Sequence, residues 1–190
     1  MNALEDKILA EGKIFDGGVL KVGGFLNQRI DAEFMMEMGR EIAGLYKDCG
    51  ITKIFTIESS GIAIAMAAAI EMGVPFVFAK KDKSTNVGDD VYTARVHSFT
   101  HGNTYDAVVS KEYINAEDTI LIVDDFLARG NALIGLIEMV KQSGAKLAGA
   151  AIAIEKGFQG GGDELRSKGI RIESLALIEK MENGIVEFRK

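Results

Sequence analysis

The sequence predicts an α/β fold with a mostly parallel central sheet, because strand and helix patterns alternate along most of its length. A helix pattern begins at Asp31, where apolar side chains recur at helical spacing. Residues 119–123 form a short β-branched and apolar run that is typical of a buried strand, and an amphipathic helix pattern follows from Asn131. These observations place the polar residues between that strand and helix at the sheet edge where α/β proteins bind ligands.

Local signals bound the predicted elements. Asp31 can cap the first helix pattern, which ends near Gly50, and Gly73 can close an alanine-rich helix. Pro75 lies near the start of a strand pattern, where its missing N–H is tolerated. The apolar positions of the first helix pattern are Phe34, Met35, Met38, Ile42 and Leu45. The predicted order is helix 31–50, strand 53–57, turn 58–61, helix 62–72, strand 74–79, strand 119–123, helix 131–144 and strand 147–154.

Residues 80–110 interrupt this alternation. A polar stretch over 80–86 has no apolar periodicity, and two β-type runs follow at 90–99 and 105–110, joined by His101-Gly102-Asn103. A long polar loop with a hairpin inside a compact domain is typical of a functional lid. We therefore predict a single domain over 1–190, with a core of about 30–156, a small hood of about 1–28 and 157–190, and a flexible lid or hairpin of about 80–110.

The composition indicates a globular protein with small-molecule ligands. The chain is 47% apolar and contains one proline. Its net charge of −6 argues against a nucleic-acid partner, whereas a small phosphorylated ligand needs only local positive charge. Cys49 is the single cysteine, which fits a reducing compartment. The first residues lack a signal-peptide pattern and the longest apolar run is too short to span a bilayer, so we expect a cytoplasmic protein without membrane contact.

Two adjacent carboxylates, Asp124 and Asp125, follow the predicted strand that begins at Thr119. One acid in this position often caps the next helix, but that helix should begin near Asn131, six residues after Asp125. Two like charges side by side repel by roughly 1 kcal/mol or more near a surface. A sugar diol or a cation carried by a ligand would offset that repulsion, so we expect the pair to bind a ligand.

Two short loops are candidate anion sites. Residues 128–132 form a glycine loop before a helix whose free N–H groups can bind phosphate. Glu58-Ser59-Ser60-Gly61 follows another strand, and its small residues let backbone amides approach an anion; an ordinary serine-rich turn is the equally plausible alternative. Neither loop is a Walker A motif, and Gly160-Gly161-Gly162 fails the spacing of a dinucleotide fingerprint.

The basic residues and histidines complete the candidates. Lys80, Lys81 and Lys83 would neutralise a leaving anion on lid closure or form a solvated face. Lys156 follows an apolar strand and points to the same rim as the acid pair, unless it forms a surface pair with Glu155. A metal pair at the spacing of His97 and His101 needs a helix, which the local patterns do not predict, so we predict no directly ligated metal.

The strand, acid pair and glycine loop of residues 120–132 resemble the phosphoribosyl-diphosphate (PRPP) signature of the type I phosphoribosyltransferases. Over nearly its whole length the chain is similar to the bacterial xanthine-specific branch of that family, which forms homodimers. The segments that carry this similarity are Leu20-Lys21-Val22, Phe25-Leu26-Asn27, Thr52-Lys53-Ile54, Thr56 to Ala63, Asp124 to Ala128, Ile154-Glu155-Lys156, Phe158-Gln159 and Glu173 to Ala176.

The resemblance implies a role for each candidate. Asp124 and Asp125 would be the catalytic pair that holds the ribose hydroxyls, Ala128 to Ala132 would hold the 5′-phosphate, and Glu58 to Gly61 would form the diphosphate loop. The implied PRPP ligands are Ala128, Arg129, Gly130, Asn131, Ala132, Glu58, Ser59, Ser60, Gly61, Lys81 and Lys83. The implied xanthine ligands are Leu20, Asn27, Lys156 and Phe158.

The implied activity is transfer of the phosphoribosyl group from PRPP to N9 of xanthine, giving xanthosine 5′-monophosphate and diphosphate in purine salvage, with Mg²⁺ carried by PRPP or diphosphate. The alternatives are transfer to guanine or hypoxanthine, adenine or orotate, or a non-catalytic PRPP-sensing regulator. A DNA-binding regulator would need an additional module and a basic stripe, and neither is predicted.

Two departures from the family pattern affect the loop after the acid pair. Many relatives have threonines in the phosphate loop, where this chain has Arg129-Gly130-Asn131-Ala132. The hypoxanthine–guanine enzymes have an aspartate, assigned as an acid/base near the purine, where this chain has Ala128. That role therefore does not transfer to this chain.

Overall fold

The structure is a computed structural model that describes residues 2–15, 17–81, 90–98, 103–182 and 184–190. The helices are α1 (Ala3–Glu11), α2 (Ala32–Leu45), α3 (Gly61–Met72), α4 (Asn131–Ser143) and α5 (Gly161–Ser167). The strands are β1 (Lys13–Phe15), β2 (Val19–Lys21), β3 (Lys53–Ile57), β4 (Phe76–Lys81), β5 (Val91–Ser98), β6 (Asn103–Ser110), β7 (Thr119–Leu127), β8 (Lys146–Lys156), β9 (Ile172–Glu182) and β10 (Ile185–Phe188). Short turns span Gly23–Asn27, Lys111–Tyr113 and Gly157–Gln159.

One mixed sheet organises the fold. Its strand order is β10-β9-β8-β7-β3-β4-β6-β5, and the five strands from β9 to β4 are parallel to one another. The edge strand β10 and the β5–β6 hairpin are antiparallel. This architecture confirms the predicted α/β class with a mostly parallel sheet, and it brings the carboxyl ends of β3, β7 and β8 to one edge.

The two faces of the sheet are covered by different elements. Alternate residues of β7 point to opposite sides: Leu121 and Val123 pack with α1, α2 and α3, whereas Ile120 and Ile122 pack with α4 and the hairpin. The parallel strands therefore have apolar residues on both faces, as expected for strands buried on both sides.

Helix α2 begins after Asp31 as predicted, but it ends at Leu45 rather than near Gly50. The Asp31 carboxylate accepts a hydrogen bond from the Phe34 N–H at 3.3 Å, and the helix buries Met35, Met38 and Ile42. Gly39 lies against α3, where an added Cβ would be 2.7 Å from the Ala67 carbonyl carbon. The alanines of α3 thus allow the two helices to approach closely.

The described part of the predicted lid belongs to the sheet. β5 and β6 pair from Val91↔Ser110 to Ser98↔Asn103, which confirms the predicted hairpin strands. β6 also pairs with β4, and Gln142 of α4 exchanges two hydrogen bonds with the Thr93 backbone of β5. The polar loop with Lys83, and the connection with His101, lie outside the described residues.

The C-terminal part of the predicted hood differs from the prediction. β9 is the parallel neighbour of β8 and β10 extends the same sheet, so much of 157–190 is a continuation of the core. The physical reason is that β9 buries Ile172, Leu175 and Ala176 against neighbouring elements. The β1–β2 hairpin forms a separate two-stranded sheet near the amino terminus. Among the described residues, no helix combines the length and apolarity needed to cross a bilayer.

Candidate active site

The acid pair lies inside β7 rather than after it, which corrects the predicted strand end. Asp124 pairs with Ile152, and Phe126 and Leu127 continue the ladder with β8. Both carboxylates are only 6% exposed, and the Asp125 N–H donates to Asp124 Oδ1 at 3.0 Å. The sheet therefore holds both acids at fixed positions on its carboxyl edge.

Asp125 joins three of the predicted segments. Its Oδ1 accepts a hydrogen bond from Ser60 Oγ at 3.0 Å, and its Oδ2 accepts one from Asn27 Nδ2 at 3.2 Å. Ser60 belongs to the predicted diphosphate loop, and Asn27 ends the turn that was predicted to contact a purine. The structure thus brings the predicted ribose, diphosphate and base segments together at one carboxylate.

The Asp124 carboxyl has a strongly shifted pKa. Burial raises the pKa of Asp124 well above its usual range, the charge of Asp125 raises it further, and the charge of Lys81 opposes the shift. Burial also raises the pKa of Tyr105, with a further contribution from the Asp124 charge. Lys81 Nζ lies 5.5 Å from the Tyr105 ring centroid, so the ends of β4 and β6 present a cation and a phenol to the acid pair.

This raised pKa gives the free energy of unfolding a defined pH dependence. Because the folded pKa of Asp124 lies above its ordinary value of 3.8, the folded protein binds more protons than the unfolded chain between those two values. The contribution of Asp124 to stability therefore falls as pH rises from 3.8 through the raised pKa. We expect Asp124→Asn to have a higher melting temperature than the wild type near neutral pH, and we expect this difference to be smaller at about pH 4.

Thermal denaturation of both proteins across that pH range measures the difference. The control is Asp106→Asn, which removes an exposed carboxylate from the hairpin. A melting-temperature difference for Asp124→Asn that stays constant with pH would contradict the raised pKa of Asp124.

Gly61, the first residue of α3, lies where no side chain fits. A Cβ there would be 2.2 Å from Thr56 Oγ1 and 2.7 Å from Asp124 Oδ1. Thr56 is fully buried, and within the described part of the chain its hydroxyl has no hydrogen-bond partner. A side chain at the amino end of α3 would therefore displace Thr56 or Asp124.

We expect Gly61→Ala to destabilise the protein by roughly 1–3 kcal/mol, because overpacking a rigid site forces its neighbours to move. It should also disturb the acid pair, because Asp124 is one of the displaced groups. Gly44→Ala in α2 is the matched control: its Cβ would meet no atom within 4 Å, and alanine favours a helix. Equal melting temperatures for Gly61→Ala and the wild type would refute the packing argument.

The loop after β3 is anchored to β4. The Glu58 N–H donates to the Ala79 carbonyl at 3.0 Å, and Glu58 Oε1 accepts the Lys81 N–H at 2.6 Å. The Glu58–Ser59 peptide bond is cis. The Glu58 side chain thus links the loop to the end of β4 and brings Lys81 beside it. Binding of PRPP by Glu58, Ser59, Ser60, Gly61, Lys81 and Lys83 remains a prediction.

The predicted phosphate loop leads directly into α4. Gly130 has a φ of +84°, a conformation that favours glycine, and as the N-cap residue it offers no side chain to the first turn of the helix. The Ala128 carbonyl accepts the Gly161 N–H at 3.2 Å, and Asn131 Nδ2 donates to the His97 carbonyl at 3.0 Å. The Asn131 side chain is thus bonded to the hairpin, so a phosphate here would be bound by backbone N–H groups.

Three of the four predicted base-site residues surround the β1–β2 turn. Lys156 Nζ donates to the Gly18 carbonyl at 3.0 Å, and burial lowers the pKa of this lysine. Phe158 is 41% exposed, and an added Cβ on Gly18 would lie 3.3 Å from its ring. Leu20 is buried in β2. The fourth residue, Asn27, contacts Asp125 instead, so it lies beside the predicted ribose position.

The surface pair that the sequence offered as an alternative for Lys156 does not form. Glu155 is completely buried and accepts hydrogen bonds from Arg166 at 2.8 and 2.6 Å and from Ser174 Oγ. A Cβ on Gly162 would lie 1.9 Å from Glu155 Oε1. Sequence reasoning missed this cluster, because no local pattern connects Glu155 to an arginine eleven residues later.

This geometry defines a sheet edge with two candidate anion loops on either side of a buried acid pair. A family model described as a phosphoribosyl transferase domain matches residues 28–183. Since the match covers most of the chain, the chain belongs to the phosphoribosyltransferases, which confirms the resemblance seen in the sequence.

Curated relatives of high sequence identity have a more specific name than the family. Proteins named xanthine phosphoribosyltransferase from Bacillus mycoides and Heliobacterium modesticaldum are each 52% identical over 188 residues, covering 99% of this chain and 95% and 100% of those proteins. Solved structures share the fold. The adenine phosphoribosyltransferase of Giardia lamblia complexed with 9-deazaadenine has a TM-score of 0.80 at 22% identity, covering 95% of this chain and 100% of that chain. The Trypanosoma brucei enzyme has a TM-score of 0.74 at 18% identity, covering 90% and 77%.

Proposed function

We propose that this protein transfers the 5-phosphoribosyl group of PRPP to N9 of xanthine, releasing diphosphate and forming xanthosine 5′-monophosphate in purine salvage. The observation that carries the proposal is the position of Asp125, whose two oxygens bind Ser60 of one loop and Asn27 of another. The full-length relatives named xanthine phosphoribosyltransferase support the choice of acceptor.

The acid pair is suited to hold the ribose. Cleavage of the bond between C1′ and diphosphate develops positive charge on the sugar, which a fixed carboxylate pair stabilises electrostatically. The 5′-phosphate would bind the N–H groups of residues 128–132 and the diphosphate those of residues 58–61. Holding both ends of PRPP orients C1′ toward the acceptor, and orientation is a large part of the catalytic effect.

Mg²⁺ belongs to the substrate in this proposal. Mg²⁺ prefers oxygen ligands and is usually bound through phosphates with one or two carboxylates. As the sequence resemblance implies, the ion would be carried by PRPP and diphosphate oxygens near the acid pair. Lys81 lies at the same edge and would neutralise part of the diphosphate charge.

The acceptor site needs little acid–base help from the protein. Xanthine is an unusually acidic purine, so its anion can attack C1′ without a strong base. Ala128 provides no side-chain base, and the Lys156 ammonium at the β1–β2 turn would bind a xanthine oxygen or its negative charge. Phe158, which is 41% exposed beside Gly18, would pack on the purine face, and Leu20 and Asn27 would complete the site.

The test offers Mg²⁺-PRPP with xanthine, guanine, hypoxanthine, adenine or orotate and follows nucleotide and diphosphate formation. We expect the highest kcat/KM with xanthine. Preferential use of another base would reject the acceptor assignment, and no reaction with any base would reject the enzyme. A gel-shift assay with and without PRPP tests the regulator alternative.

We also propose that the protein works in the cytoplasm as a homodimer, as the sequence resemblance implies. Sedimentation analysis with and without PRPP is expected to give twice the 20.5 kDa chain mass. A monomeric species that retains full activity would reject the dimer.

A further inference from the structure

Arg189, which follows β10, is bonded to two carboxylates. Its guanidinium donates to Asp163 Oδ1 at 2.7 Å and Oδ2 at 2.9 Å, and its Nε donates to Glu179 Oε2 at 2.5 Å. Its backbone N–H donates to the Leu177 carbonyl at 2.8 Å. The chain end beyond β10 is therefore held against β9 and α5 by four hydrogen bonds.

The guanidinium also lies against the turn Gly157–Gln159. An added Cβ on Gly157 would be 3.2 Å from Arg189 Nη2 and 2.7 Å from Leu177 Cδ2. Gly157 stands between Lys156 and Phe158, so Arg189 and β9 form the wall behind the two proposed base ligands.

A second arginine continues the same network on the other side of the turn. Arg166 donates to Asp163 at 3.3 Å and binds the buried Glu155 with both terminal nitrogens. Glu155 immediately precedes Lys156. The segment from Glu155 to Phe158 is thus bracketed by Arg166 at its start and by Arg189 at its turn, with Asp163 bonded to both.

We propose that Arg189 is a positioning residue for the acceptor base: it fixes the Gly157–Gln159 turn and thereby the Lys156 ammonium and the Phe158 ring. It contacts no reacting atom. The inference rests on the proposed function, because that function assigns Lys156 and Phe158 to the purine.

Stabilisation of the whole fold does not explain this arrangement. Ion pairs between exposed side chains contribute little to stability, and the side chains of Arg189 and Asp163 are 35% and 48% exposed. A bidentate arginine–carboxylate pair does fix the relative orientation of the two side chains. Its removal should therefore change the position of the turn more than the free energy of unfolding.

The test compares Arg189→Ala with the wild type in steady-state kinetics. We expect the KM for the accepted base to rise about 10-fold, since a small misplacement of a binding group has large effects, while PRPP KM and kcat change little. Arg189→Lys keeps the charge but loses the planar guanidinium that binds the carboxylate through two hydrogen bonds. Its KM for the base should therefore lie between those of the wild type and Arg189→Ala. Lys190→Ala, at the exposed neighbouring position, is the matched control.

Equal increases in both KM values, or no increase in the KM for the base, would overturn the proposal. If Arg189→Ala fails to fold, Arg189→Lys and Asp163→Asn decide, because each weakens the same bidentate contact while keeping similar side chains. If the wild-type protein prefers a base other than xanthine, only the xanthine assignment is rejected. The KM for that other base is then the quantity compared between the variants. No activity with any base would overturn both.

Discussion

Asp124→Asn and Asp125→Asn are each expected to lower kcat about 100-fold, the scale seen when one group of a preorganised electrostatic site is removed. Both carboxylates are buried in β7 and retain their positions through the ladder with β8, so the loss should appear in turnover rather than in folding. The measurement is kcat with saturating Mg²⁺-PRPP and xanthine.

The two variants should differ in their KM for xanthine. Asp125 accepts from both Asn27 Nδ2 and Ser60 Oγ, whereas an asparagine at 125 has a single acceptor oxygen, so one of these two contacts must change. Asp124 has no contact with Asn27 among the described residues. We therefore expect a raised xanthine KM for Asp125→Asn and not for Asp124→Asn. Asp106→Asn, an exposed carboxylate in the hairpin, serves as the control. Near-wild-type turnover of both active-site variants would show that the pair is structural.

Lys156→Ala is expected to raise xanthine KM by roughly 10- to 100-fold with little change in PRPP KM, because a hydrogen bond to a charged group contributes about 1.5–3 kcal/mol. Lys156 Nζ also lies 5.6 Å from the Phe126 ring centroid, so the alanine variant loses packing as well as charge. Lys156→Met keeps most of the stem and removes the charge alone.

Steady-state kinetics with each substrate varied in turn measures the two KM values for both variants. If Lys156→Met behaves as the wild type while Lys156→Ala does not, the lysine contributes packing rather than charge. Equal effects on xanthine and PRPP would disprove the base-site role.

The fold was predictable where a local pattern and the tertiary environment favour the same structure. Asp31 caps α2 as expected, and the strand at 53–57 has the predicted bounds. The end of β7 was not predictable, because two adjacent acids normally favour a strand end. Here backbone pairing to β8 and the hydrogen bonds that Ser60 and Asn27 donate to Asp125 keep the acids in the strand.

The site was predictable as far as its strand-end segments. The acid pair, the loop at Ser60 and Lys156 each lie at or near the carboxyl end of a parallel strand, and parallel strands bring such segments to one edge. The partners of Glu155 and Arg189 were not predictable, since ion pairs between distant segments leave no periodic signal in the sequence. Asn27 was assigned to the purine, and its contact with Asp125 depends on the packing of a turn far from β7 in the chain.

The glycines at 160–162 have a consequence for how this chain can vary. The three residues are identical, yet an added Cβ on Gly161 would lie 2.4 Å from the Ala128 carbonyl oxygen and one on Gly162 would lie 1.9 Å from Glu155 Oε1. An added Cβ on Gly160 would meet no atom within 4 Å, so substitution there is limited only by the φ of +77°. In a saturation-mutagenesis library we therefore expect some substitutions of Gly160 to be tolerated. Substitutions of Gly161 and Gly162 should almost all be rejected.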